Sequence, residues 1–359
     1  MDDVERGLRL AVTALVADAT TDVSDADATR GFRSIHGVSD GTFTYRHKKR
    51  RAVGFLIAVL RDDGVRWWCE DDACCCRGDD EDGCAMGAEG AIGVNYGMIA
   101  NNLPAPEQVI SMYKAKNISY VRLFHPDTTV LNALRGSGIG VVLGTLNEDL
   151  PRLASDSSYA ASWVATNVQP FAGAVQFRYI NAGNEVIPGD TAAQVLPAMQ
   201  NLESALRSAG VTGVPVTTAV ATSVLGTSYP PSQGAFSEAA APVMAPIVSY
   251  LSSRGAPLLV NVYPYFAYSG SGGQAGVQGL ELVVSETGWP SGGGGAGATV
   301  ENAAAYNNNV VRHVGGGTPR RPGKAVETYL FAMFNENGKA EGVEQHFGLF
   351  QPDMSEVYH

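Results

Sequence analysis

After Gly90 this chain settles into a rhythm that few folds can accommodate: short, continuous apolar runs alternate with stretches of helical period. The runs cover 91–96, 120–124, 140–146, 175–180, 214–221, 257–265, 280–285 and 327–334. Most are unbroken Val, Ile, Leu, Phe and Tyr rather than alternating apolar and polar, the pattern of strands covered on both faces. Helical stretches at 106–115, 129–135, 159–167, 192–208, 242–253 and 300–314 separate most of them. Eight strands alternating with helices over 91–359 predict an α/β fold, a closed (β/α)8 TIM barrel. A doubly wound open sheet is the alternative, but no G-x-G-x-x-G loop follows the first run.

In such a barrel, chemistry collects where the strands end. The ends read Asn95-Tyr96, Phe124-His125, Asn147-Glu148, Asn184-Glu185, Tyr263 with Tyr265 and Phe266, Glu286 with Trp289, and Phe334-Asn335-Glu336-Asn337. Two of them, 180–185 and 284–291, carry a buried-looking strand straight into a glutamate among small residues. An apolar strand has no packing reason to end on an acid. Glu185 and Glu286 together suggest the paired carboxylates of a glycosidase. The surrounding amides and aromatics suit a sugar, whose ring faces stack on aromatic planes while its hydroxyls need fixed donors and acceptors.

Charge removes other classes of partner. The net charge is −11, and acids outnumber bases both in residues 1–90 (18 against 12) and beyond them (18 against 13). Neither part offers the basic face that nucleic acid requires, whereas a neutral polysaccharide is indifferent to this balance. No run of 18 apolar residues exists, so no membrane-spanning helix is expected.

Residues 1–90 differ from the rest. They contain all five cysteines, Cys69, Cys74, Cys75, Cys76 and Cys84, so the predicted barrel does without disulfides. The triplet 74–76 lacks C-x-x-C spacing and has acidic flanks, which argues against a metal site. Charge runs at 48–51 and 79–82 without sustained periodicity predict a solvated, disordered extension. Lys48–Arg51 followed by apolar 52–60 has the order of a secretory signal, but it is internal and ends in Arg61-Asp62-Asp63. With acids at Asp2, Asp3 and Glu5, no N-terminal signal is recognisable.

Five motifs in combination resemble the plant endo-1,3-β-glucanases of glycoside hydrolase family 17. They are the residues of 92–97 (Ile-Gly-Val-Asn-Tyr-Gly), Asn184-Glu185, 261–266 (Asn-Val-Tyr-Pro-Tyr-Phe), 285–291 (Ser-Glu-Thr-Gly-Trp-Pro-Ser) and 331–337 (Phe-Ala-Met-Phe-Asn-Glu-Asn). The likeness runs from about residue 91 to the C-terminus; residues 1–90 do not share it. It implies Glu185 as general acid/base and Glu286 as nucleophile of a retaining double displacement. It further implies Tyr96, Asn184, Tyr263, Phe266, Trp289, Glu327, Phe334, Glu336 and Lys339 as substrate-binding residues, with Trp289 and Phe334 as stacking surfaces and Asn184 on the sugar 2-hydroxyl or the nucleophile. The implied substrate is a β-glucan, the implied state a monomer, and the implied location the cell wall or vacuole. No metal or organic cofactor is implied, because two carboxylates and water suffice.

The chain departs from that family in one place. Only 13 residues, five of them glycine, lie between Phe266 and Leu280. A parallel crossover normally carries a helix and needs about a dozen residues at the least, so the link between strands six and seven is abnormally short. Three functions are therefore expected in turn: an endo-1,3-β-glucanase, a 1,3;1,4-β-glucanase, or a catalytically impaired glucan-binding relative.

Overall fold

The computed structural model describes residues 92–227, 234–265, 280–318 and 321–358. The expectations for residues 1–90, for Phe266 and for the short 267–279 link lie outside the described residues. Eight parallel strands close into a barrel in sequence order: β1 (Ile92–Asn95), β2 (Tyr120–Leu123), β3 (Gly140–Gly144), β4 (Gln176–Asn184), β5 (Val216–Ala221), β6 (Leu258–Asn261), β7 (Leu282–Thr287) and β8 (Thr328–Leu330). Pairing of Ile92 with Thr328 and of Val94 with Leu330 shuts the ring. The TIM-barrel expectation holds.

Helices α1 (Pro106–Ala115), α2 (Thr128–Ala133), α3 (Leu150–Ser155), α4 (Ser157–Asn167), α5 (Val195–Ser208), α6 (Ala241–Arg254) and α7 (Val300–Gly316) occupy connections around it. Their ends follow from local chemistry. Asp127 accepts from the backbone N–H groups of Thr129 and Val130 and so starts α2. Asp156 both terminates α3 and caps α4, accepting from Ser158 and Tyr159. Such caps satisfy N–H groups that have no partner inside the helix. Gly255 ends α6 at φ +61°, a conformation glycine adopts without a steric penalty. Along α5, Val195, Ala198, Met199, Leu202, Ala205 and Leu206 are buried, the three-four spacing of a helix with one face on the barrel.

Several boundaries differ from those the apolar pattern predicts, among them the end of β6, which stops at Asn261 rather than at 265. β4 continues through Asn181–Asn184, because a backbone ladder is indifferent to side-chain polarity. β8 stops at Leu330 rather than at 334. Phe331 N–H still donates to Thr287 of β7 and Met333 N–H to Asn95 of β1, but Ala332 N–H donates to Phe347 and Asn335 N–H to Phe350, so regular strand pairing gives way to bonds shared with the C-terminal segment. Helix α3 occupies 150–155, where the sequence shows too short an apolar stretch to reveal a period.

Two packed layers result. Inside the barrel, Val142, Ala219, Leu259, Val283 and Tyr329 form a small apolar plug flanked by Tyr120 and Tyr179. Below it, at the N-terminal ends of the strands, Arg178 pairs with Glu327, which also accepts from Tyr329 (2.7 Å) and Tyr179 (3.3 Å). Outside, the remaining core fills the space between strands and helices. The plug seals the barrel below the C-terminal rim, so that rim is the floor on which a site can be built.

Candidate active site

Backbone geometry at the end of β4 sets one wall. The β4–β5 register shifts between Asn181 and Asn184, a bulge that re-aims the residues after it. Gly183 sits at φ +78°, and a Cβ there would lie 2.7 Å from Leu150 Cδ1. Glu185 itself has φ +56°. A left-handed conformation costs a residue with a Cβ about 1–3 kcal/mol and persists where neighbouring contacts impose it. Glu185 N–H, donating to Ala219 O at 2.9 Å, is one such contact.

The opposite wall is Glu286, 6 % exposed on β7. Its Oε1 accepts from Arg122 Nη1 (2.5 Å) and Asn261 Nδ2 (2.9 Å), and its Oε2 from the Tyr263 hydroxyl (2.7 Å). Each donor is itself fixed. Arg122, 1 % exposed on β2, also donates through Nη1 to Asn95 Oδ1 (3.0 Å) and through Nη2 to Asn184 Oδ1 (2.8 Å). Asn95 in turn donates to the Ser285 and Leu330 carbonyls. Ser285 Oγ donates to Asn261 Oδ1 at 2.6 Å and fixes the amide's orientation. Strands β1, β2, β4, β6 and β7 thus share one hydrogen-bonded network, and charge-assisted bonds are its strongest members.

Asn261 Nδ2 links the two acids. It lies 2.8 Å from Glu185 Oε1 and 2.9 Å from Glu286 Oε1. Those oxygens can therefore be no farther apart than the two contacts laid end to end, about 5.7 Å. Carboxyls about 5–5.5 Å apart allow one to attack a sugar carbon directly, whereas about 6.5–9.5 Å leaves room for an intervening water. Burial, and secondarily the Glu286 charge, raise the pKa of Glu185 against the opposing pull of Asn261 and Arg122. Glu344 adds to the upward shift. Burial and the Glu286 charge also push the Tyr263 phenol well above its ordinary value, which keeps it a donor.

Aromatic rings form the third side. Tyr263 meets Phe331 edge-on (5.9 Å between centroids) and Phe347 (5.7 Å), and Phe331 meets Phe124 (6.2 Å). The Arg122 guanidinium lies 4.6 Å from the Phe124 centroid and Lys339 Nζ 4.1 Å from that of Phe331. Lys339 is held by Glu336 at 3.0 Å, and Glu336, 2 % exposed, also accepts from Ile99 N–H. Gly97 is required here, because a Cβ would lie 2.3 Å from Glu336 Oε2.

Of the residues implied by sequence, Glu185, Glu286, Asn184 and Tyr263 come together, with Glu336 and Lys339 linked to them through Phe331. Four are placed otherwise. Trp289 is fully buried, donates Nε1–H to Gly297 O (2.8 Å) and packs against Tyr265 and Tyr306, so it is a core residue and not a stacking surface. Phe334, 1 % exposed, and Tyr96, 2 % exposed, pack edge-on against each other and present no face to a ligand. Both lie where the chain after β8 folds back over the rim, and apolar rings there gain more from contact with each other than with water. Glu327 belongs to the ion pair under the plug, at the opposite end of the barrel from the acids.

Sequence reasoning assigns no site role to Arg122, Asn261, Asn147, Ser285 or Phe331. Arg122 left a signal, a charge inside the apolar run 120–124, the same anomaly that marks the two acids. The amides left a weaker one: Asn147 stands among the strand ends and Asn261 opens the 261–266 motif, but an asparagine at a strand end is equally a turn residue.

Among the described residues, no group of three or more His, Cys, Asp or Glu is placed to hold a metal ion, and no helix is long and apolar enough to cross a membrane.

Comparison with known proteins agrees with this geometry. The model of glycosyl hydrolases family 17 matches residues 92–275 and 272–359. The chain is 65 % identical to a putative glucan endo-1,3-beta-glucosidase GVI of Hordeum vulgare, over 76 % of this chain and 97 % of that protein. It is 45 % identical to Lichenase-2 of the same species, over 75 % and 97 %. A solved structure described among two plant beta-glucan endohydrolases with distinct substrate specificities superposes with a TM-score of 0.69 at 44 % identity, covering 74 % of this chain and 99 % of that one. The family match divides at 272–275, within the short link. The 65 % alignment spans 314 positions while 76 % of 359 residues is about 273, so about forty positions have no counterpart here.

Proposed function

We propose, from the premise that the chain belongs to glycosyl hydrolases family 17, that it cuts internal 1,3-β-glucosidic bonds of β-glucans with retention of configuration. The observation that carries this reading is the single amide, Asn261 Nδ2, in contact with both Glu185 and Glu286. In the first step Glu286 attacks the anomeric carbon and forms a glycosyl ester while Glu185 gives its proton to the departing glycosidic oxygen. In the second, Glu185, now a carboxylate, takes a proton from water, and that water displaces Glu286. Arg122, Asn261 and Tyr263 fix the nucleophile so that little reorganisation is needed during attack. Asn184 Oδ1 is engaged by Arg122 and Asn261, while its Nδ2 donates to no described residue and is the group offered to the sugar 2-hydroxyl.

The activity is assigned to residues 91–359, acting as a monomer on a glucan of the cell wall or vacuole. The test is release of reducing ends from a soluble linear 1,3-β-glucan, with the product's anomeric configuration followed by NMR. The β-anomer should appear first and mutarotate; initial α-anomer would overturn the retaining assignment. A second reading, hydrolysis of mixed 1,3;1,4-β-glucan, is favoured by the 45 % identity to a lichenase. Faster release from the mixed-linkage polymer than from the linear one would select it.

A further inference from the structure

We infer that Asn147 is a positioning residue that holds the acid/base glutamate in register by gripping the backbone of Asn184 from across the β3–β4 edge. Regular pairing between β3 and β4 ends at Gly144 with Asn181. One more ladder bond follows, Thr145 N–H to Asn181 O at 2.9 Å, and then β3 turns away. From that point the β4 backbone on this side is held by side chains. Thr145 Oγ1 accepts from Gly183 N–H at 3.2 Å. The Asn147 amide does more: its Oδ1 accepts from Asn184 N–H at 2.8 Å and its Nδ2 donates to Asn184 O at 2.9 Å.

Those two bonds imitate one rung of a sheet, and they end immediately before Glu185. The next residue has φ +56° and is tied on the other side by its own N–H to Ala219 O. The acid/base is thus fixed between a strand neighbour, β5, and an asparagine standing in for the strand that has ended. Asn147 is exposed and reaches neither carboxylate through a hydrogen bond, so its influence is on where the carboxyl of Glu185 sits, not on the chemistry directly. A structural reading of the same residue, a polar start to the turn at 147–149, gives it no particular effect on proton donation.

The proposal rests on Glu185 being the acid/base, and its test separates the two ideas. Asn147→Ala and Glu185→Gln are compared with wild type on a linear 1,3-β-glucan and on a dinitrophenyl β-1,3-oligoglucoside, whose leaving group departs without protonation. A misplaced acid should lower kcat/KM on the polymer by about 10- to 100-fold while the activated substrate changes by less than about threefold. Thermal melts exclude global unfolding. If Glu185→Gln shows that selectivity and Asn147→Ala loses both substrates equally or neither, the positioning role is wrong. If Glu185→Gln lacks it, the acid/base assignment is what fails. Hydrogen exchange at the Asn184 amide gives a readout independent of turnover: it should accelerate at least tenfold in Asn147→Ala while amides of β2 do not, and unchanged exchange would overturn the clamp.

Discussion

Arg122 illustrates how much a single side chain does in this network. A buried guanidinium carries a large desolvation cost that only close acceptors offset, and here Glu286, Asn95 and Asn184 supply them. Lysine offers one point charge where arginine offers a planar fork. Arg122→Lys should therefore lose either the Glu286 or the Asn184 contact and lower kcat by about 10- to 100-fold, measured on the linear polymer beside a melt that shows the protein still folded. Tyr263→Phe removes one bond to Glu286; a hydrogen bond to a charged group is worth about 1.5–3 kcal/mol, which predicts a loss in kcat of about 10- to 150-fold. Glu185 makes a prediction about pH. Its pKa is raised in the folded protein, so the fold binds its proton more tightly than the unfolded chain does. The stability this contributes is present below the ordinary carboxyl pKa and lost as pH rises through the raised value. Glu185→Gln cannot titrate, so its Tm should exceed that of wild type at neutral pH and the difference should shrink in acid. A difference that grew in acid would contradict the sign.

At the scale of elements, the two aromatic assignments separate most cleanly. Trp289 follows β7 but is buried between Tyr265 and Tyr306. Trp289→Ala should cost about 3–5 kcal/mol of stability, read by denaturant unfolding. Phe331→Ala, on the ring cluster beside Lys339, should act more on KM and kcat. The sequence displayed the elements themselves because burial makes most of the strands visible as largely apolar runs. It displayed their ends poorly. The polar end of β4 reads as a loop, and the apolar residues after β8 read as strand, because hydrophobicity reports burial rather than hydrogen bonding. The acids were legible as charges out of place, and Arg122 equally so. The roles of Asn147, Asn261 and Ser285 were not, since they depend on partners up to 76 positions away along the chain.

In the whole molecule the barrel keeps stability and chemistry at opposite ends. The Arg178–Glu327 pair lies under the apolar plug, and Glu185, Glu286 and the ring cluster above it. Glu327→Gln should lower Tm while leaving KM for glucan within about twofold, because sites more than about 7–10 Å apart with no shared partner behave additively. A large change in KM would place Glu327 in the site after all. The shortened link between β6 and β7 bears on the same division: both strands it joins carry network residues, Asn261 and Glu286, and their register shifts between Val260 and Asn261 so that Asn261 stands beside Glu286.

The most direct test of the central claim is to trap the intermediate. Incubation with a 2-deoxy-2-fluoro-β-1,3-oligoglucoside bearing a dinitrophenolate leaving group, followed by proteolysis and mass spectrometry, should find one glycosyl group esterified to Glu286 and none on Glu286→Gln protein. A label on Glu185, or turnover of natural substrate with inversion and no label at all, would contradict the account.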